Sequence, residues 1–143
     1  EIENDGSIYK DKNVEVIAFK NDHGDFENSF GFLFITKDKR ILFSGDTGVS
    51  DNLMNYGENL DILVHEVYSS ETFKNKTDDW QIYHNAHHTS SIDLGIIANK
   101  LKPKKLVLSH ILFWGATEES LLDDVKSNFD GNAIIAKDLM VIR

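Results

Sequence analysis

Four apolar runs in this chain are each followed by a side chain able to hold a metal ion. His23 comes shortly after Val14 to Phe19, and Asp46 after Ile41-Leu42-Phe43. His65 and Glu66 follow Ile62-Leu63-Val64, and His110 follows Leu106-Val107-Leu108 with only Ser109 between. A strand that ends in such a residue holds it on a rigid scaffold while leaving its tip open to a ligand. Cysteine is absent, which excludes disulfides and thiolate ligation, so a metal would rest on His, Asp or Glu. Each residue also has a plainer reading. Asp46 suits the turn Ser44-Gly45-Asp46-Thr47, His110 could be a satisfied core histidine, and His23 an ordinary loop residue. The fourfold recurrence favours a His/Asp metal site. His84, His87 and His88 would share one face of a helix. A separate three-histidine site there competes with one functional His88 and two bystanders.

These residues need elements to position them. The β-branched and aromatic content of Val14 to Lys20 predicts a strand. Phe30 to Ile35 and Ile41 to Phe43 read as a hairpin around Lys37-Asp38-Lys39-Arg40. A short helix is expected over Asp51 to Tyr56 and a buried strand over Ile62 to Val64. Residues 70 to 86 are polar and ambiguous between helix and other structure. Ser91 to Leu101 reads as a helix with Ile92, Gly95, Ile96 and Ile97 near one face, opened by a capping-box-like Ser90 and Asp93. Leu106 to Leu108 reads as a strand. Thr117 caps a helix bearing Leu121, Leu122, Val125 and Phe129. Ala133 to Ile135 and Leu139 to Ile142 read as two closing strands. Short apolar strands alternating with helices predict an α/β, layered (α+β) fold without an internal linker.

Composition sets outer bounds. With 143 residues, 41% of them hydrophobic and 27% charged, the chain suits one globular domain or part of one. A net charge of -9 disfavours nonspecific nucleic-acid binding, although divalent cations can reverse the charge at a site. No apolar stretch approaches a membrane span, so no membrane partner is expected. The lack of cysteine permits either side of a membrane, and the cytoplasm is the favoured compartment.

Five of these segments together resemble the metallo-β-lactamase superfamily, in its ribonuclease Z-like and arylsulfatase-like phosphodiesterase branch. His23-Gly24 with Ser29-Phe30-Gly31-Phe32 resembles that branch's His-Gly before a Ser-x-Gly strand. Ser44-Gly45-Asp46-Thr47 resembles its Gly-Asp-Thr, and His65-Glu66-Val67-Tyr68 its His-Glu-Ala-Thr. His88-Thr89-Ser90 resembles its His-Thr-Ser, and Leu108-Ser109-His110 its Leu-Thr-His. The resemblance implies an αββα sandwich, of which this chain is the C-terminal half. It implies two divalent ions, zinc first, with manganese or iron as alternatives. His23 would bind the first ion, Asp46 would bridge both, and His110 would bind the second. His88 would be catalytic, facing the scissile phosphate and oriented by Glu66, with His65 structural. The helix beginning near Ser91 would direct its N-terminal amides at the same anion.

Two departures shape the expectation. The branch's His-x-His-x-Asp-His string does not occur in this sequence. Glu1 therefore reads as lying mid-domain, with each metal short of ligands until the N-terminal half, or a homodimer partner, completes the site. The His23 to Asp46 interval has room only for a hairpin, not for the long arm that grips transfer RNA, so a small anionic ester, a phosphodiester or sulfate ester, is the expected substrate and transfer RNA is not. The leading reading is a metal-dependent hydrolase when complete. Its alternatives are a noncatalytic half-domain serving assembly and a divalent-ion binder using His84, His87 and His88.

Overall fold

The computed structural model describes residues 1–142. Seven strands form one sheet in sequential order: β1 (Gly6–Lys10), β2 (Val14–Lys20), β3 (Phe30–Thr36), β4 (Arg40–Phe43), β5 (Ile62–Tyr68), β6 (Lys105–Leu112) and β7 (Ala133–Ile135). The first four are antiparallel, with short turns joining β1 to β2 and β3 to β4 and a longer loop, residues 21–29, joining β2 to β3. From β4 onward the pairing is parallel, so helices must cross over between strands. These are α1 (Asp51–Tyr56), α2 (Ser70–Phe73), α3 (Asp78–His87), α4 (Ser91–Leu101) and α5 (Glu118–Lys126).

Strand alternation divides the apolar residues between two faces. Leu33, Leu42, Leu63, Leu106 and Leu108 point to one side and are fully or almost fully buried. There they join Leu53 of α1, Leu94 and Ile97 of α4, Leu121 and Val125 of α5, and Phe129 in one core. Gly95 permits the close α4–α5 contact, since a Cβ there would lie 2.5 Å from the Val125 carbonyl oxygen. The buried residues of α4 are Leu94, Gly95, Ile97 and Ala98, whereas Ile92 and Ile96 are exposed. The expected grouping of Ile92 and Ile96 with the buried face is thus corrected. On the opposite sheet face Phe32 pairs with Phe43 and Phe34 with Ile41, and Ile41 pairs with Ile62. Phe43 is 43% exposed there.

Three further expectations change. Residues 70 to 87 contain α2 and α3, started by Ser69, whose hydroxyl accepts from the Thr72 amide, and by Thr77. Leu139 to Ile142 is not a strand: Leu139 to Val141 is exposed, and Leu139 has φ +62°. Strand β1, over the polar segment Gly6–Lys10, lacks the apolar alternation that would have revealed it.

Candidate metal centre

Strand parity decides how the site residues point. Leu106 and Leu108 face the helices, and a regular strand would send His110 to the same buried side. Instead the β5–β6 register shifts between Glu66/Ser109 and Val67/Ile111, so His110 is an extra, bulged residue. Its φ of +41° lies in the left-handed region, an unfavourable conformation for a histidine. The bulge turns the ring outward, where its side chain is 52% exposed and Nδ1 lies 3.1 Å from Asp46 Oδ1. The sequence places His110 after a short strand, whereas the structure places it inside a longer one.

Asp46 sits just beyond β4. Gly45, at φ +64°, makes the turn, and a Cβ at that position would lie 2.6 Å from the Phe30 carbonyl oxygen. The Asn21 side-chain amide donates to the Ser44 carbonyl (2.7 Å), and the Ser44 hydroxyl accepts from the Glu66 amide (3.2 Å). These bonds fasten the aspartate loop to the segment after β2 and to β5.

His65 and Glu66 lie within β5. His65 shares the parity of Leu63 and Val67, so it points into the core and is fully buried. Its Nδ1 donates to the Glu66 carbonyl at 2.6 Å, and burial lowers its pKa, keeping the ring neutral. Glu66 takes the opposite parity. Its Oε1 accepts from the Thr89 amide (2.7 Å), and Oε2 lies 3.3 Å from His88 Nδ1, near enough for an ion pair but not aligned as a hydrogen bond. The Thr89 hydroxyl donates to the Thr47 carbonyl at 2.7 Å. One threonine thus connects the His88 segment to both the Glu66 and the Asp46 segments. In the sequence, Thr89 stands out only as part of the His88-Thr89-Ser90 motif, with no role of its own.

His88 follows α3 in an extended conformation, its amide bonded to the His84 carbonyl and its ring stacked on that of His84 with centroids 5.5 Å apart. Among the described residues one group of three metal-capable side chains converges: a ligand atom from each of Asp46, His88 and His110 lies within 4.8 Å of the others. The three neighbouring histidines do not form such a group. His87 spends Nδ1 on the Tyr83 carbonyl (2.6 Å). His84 packs between Trp80 and Trp114, and its pKa is lowered by burial first, then by His88, His87 and Lys76.

His23 stands at the edge of this group, its ring centroid 5.4 Å from that of His88. Its Nδ1 lies 2.7 Å from the His87 carbonyl, an acceptor only, so Nδ1 carries the proton and Nε2 keeps a lone pair. That is the tautomer a ligating histidine requires. Gly24, at φ +54°, accommodates the His87 ring, which a Cβ there would strike at 2.1 Å.

The expected anion site at the start of α4 is not free. The Ser90 hydroxyl accepts from the Asp93 amide and the Ser70 hydroxyl from the Ile92 amide, with the Asp93 carboxylate bonded to Ser90. Two side chains have taken the amides that a phosphate would need.

The donor set fits a divalent ion. It offers imidazoles and a carboxylate, with Asp46 and His110 partly open beside a cleft of about 210 Å³ that Glu66, Phe32 and Phe43 also line.

Comparison with known proteins agrees with this arrangement. No family model matches the chain. Ribonuclease Z of Bacillus velezensis is 34% identical over 142 residues, covering 96% of this chain and 43% of the relative. The metallo-β-lactamase fold protein YhfI of Bacillus subtilis superposes with a TM-score of 0.74 at 20% identity, covering 92% of this chain and 50% of that one. The human short-form tRNase Z gives a TM-score of 0.67 at 22% identity, covering 99% and 47%. The chain has the metallo-β-lactamase fold. Its sequence is ribonuclease Z-like, and the chain spans less than half the length of the curated Bacillus velezensis relative.

Proposed function

We propose that this chain is the C-terminal half of a metal-dependent hydrolase that cleaves phosphodiesters. The convergence of Asp46, His88 and His110 at one edge of the sheet carries this reading. In it, Asp46 and His110 would hold one divalent ion, zinc by preference for such donors, and Asp46 with His23 would help to hold a second. Bound ions supply a water-derived nucleophile and neutralise charge on the phosphoryl oxygens. The chain's own part is positional and acid–base. Glu66, held by the Thr89 amide, fixes the His88 ring, and His88 gives a proton to the departing oxygen. Sulfate esters share the same tetrahedral anionic geometry and remain in the substrate screen.

The N-terminal half, on this reading, supplies the remaining ligands and covers the Phe32, Phe34, Ile41 and Phe43 face. That face also supports a second reading, a noncatalytic assembly module, because an apolar sheet surface recruits a partner with or without metal. The expectation against transfer RNA gains no support from relatives named ribonuclease Z, so RNA belongs in the assay beside small esters. No helix among the described residues is long and apolar enough to cross a membrane.

The test is turnover of bis(p-nitrophenyl) phosphate and a short RNA by the complete protein. Asp46→Ala should abolish turnover, and His88→Ala should reduce it about 10²–10⁴-fold. Unchanged turnover in Asp46→Ala refutes the mechanism. Association that persists in chelator, with no turnover at all, establishes the assembly reading.

A further inference from the structure

An aromatic shelf adjoins the candidate centre on the side away from the sheet. The Tyr83 ring stacks on His87 with centroids 4.0 Å apart and planes 20° apart, leaving its outer face to solvent. Phe26 meets His87 edge-on from another side and lies 5.0 Å from the His23 ring. Tyr83 is 51%, Phe26 59% and Ile82 71% exposed, an unusual concentration of open apolar surface. Beside Tyr83 lies a cleft of about 320 Å³, large enough for one planar ring, bordered by Ile82, Ala86, His87 and the carboxylates of Asp25 and Asp79. The shelf is tied to the centre through covalent structure: His87 supports the stack with its ring and holds His23 Nδ1 with its carbonyl.

We propose that this shelf is a nucleobase subsite, with Tyr83 as the stacking platform. Every base presents a π face, and stacking on an exposed aromatic ring contributes to affinity without reading sequence. The rim chemistry selects a base over other flat or apolar occupants. Asp25 and Asp79 accept hydrogen bonds and carry negative charge, so they favour exocyclic amino groups and repel phosphate. The anionic end of the ligand is thereby directed toward His23, His88 and the ions rather than into the cleft. The proposal deepens the phosphodiesterase reading and rests on it for the position of the phosphate. The stacking itself does not depend on metal.

The experiment compares adenosine 5′-monophosphate with ribose 5-phosphate, each titrated into the zinc-loaded 143-residue chain and followed by ligand NMR line broadening. Binding at least about fivefold tighter for the nucleotide is expected from stacking. Tyr83→Ala should remove that preference and leave ribose 5-phosphate binding unchanged, whereas Tyr83→Phe should retain it. Because Tyr83 is half exposed, both variants should keep the wild-type circular dichroism. Equal affinity for the two ligands, or a preference that survives Tyr83→Ala, overturns the subsite. An Asp46→Ala arm separates the two ideas. Ribose 5-phosphate binding unaffected by Asp46→Ala overturns the metal-centred reading, while the Tyr83 comparison still decides the subsite.

Discussion

Three glycine substitutions separate the forces that shape the aspartate loop. Gly45 combines a left-handed backbone, φ +64°, with a wall of main chain, because a Cβ would lie 2.6 Å from the Phe30 carbonyl oxygen. That oxygen belongs to β3 and cannot swing aside as a side-chain tip would. Gly45→Ala should therefore incur about 1–2 kcal/mol for the conformation and about 1–3 kcal/mol for overpacking, together about 2–5 kcal/mol. Gly115, at φ +99° with nothing within 4 Å of its Cβ position, isolates the conformational part. Gly95 isolates the steric part: a helical residue whose Cβ would lie 2.5 Å from the Val125 oxygen. Its overpacking cost is offset by about 1 kcal/mol of helix propensity gained by alanine. Urea denaturation of the three variants, followed by circular dichroism, should rank Gly45→Ala as the most destabilised. Since domains of this size have total stabilities of about 5–15 kcal/mol, the shift in midpoint should be large. A Gly45→Ala midpoint within error of wild type would refute the claim that this loop is set by the Phe30 contact.

Other perturbations test separate parts of the account. The His65 pKa is lowered in the folded chain, so the unfolded chain binds more protons as pH falls through about 6.5. Stability from this group is complete above that pH and lost below it, at up to about 1.4 kcal/mol per pH unit, and His65→Gln should flatten the slope measured by denaturation at successive pH values. Thr89→Val removes the buried hydroxyl that donates to the Thr47 carbonyl, and calorimetric melting should show a loss of about 1–3 kcal/mol. The apolar face should make the chain self-associate, and sedimentation velocity should find Phe43→Lys shifted toward monomer; identical profiles would mean that the face is not the contact.

The legible parts of the fold were those in which local pattern and tertiary role agree. The Phe30 to Phe43 hairpin, the Leu63 and Leu106 strands and the Thr117 cap all follow from periodicity and turn chemistry, and all occur. The site was legible as residue types after apolar runs for Asp46 and His110, whereas His88 was legible only through the resemblance of His88-Thr89-Ser90 to a family motif. The bulge at His110 was not legible as a conformation. Leu106, Leu108 and His110 share strand parity, and only the paired register with β5 reveals the inserted residue. The α3 helix was obscured because its buried surface comes from histidine and aromatic contacts rather than from an aliphatic stripe. At the start of α4, the serine hydroxyls that cap the amides are contributed partly by Ser70, a partner too distant in sequence to anticipate.

The most direct test of the central claim is a zinc titration of the wild-type chain, Asp46→Ala and His110→Ala against a chromophoric chelator. Loss of either ligand should weaken zinc binding by at least about tenfold, since even outer-shell changes cost 10–100-fold. Equal zinc affinity in all three would contradict the assignment of Asp46 and His110 as the metal-holding pair.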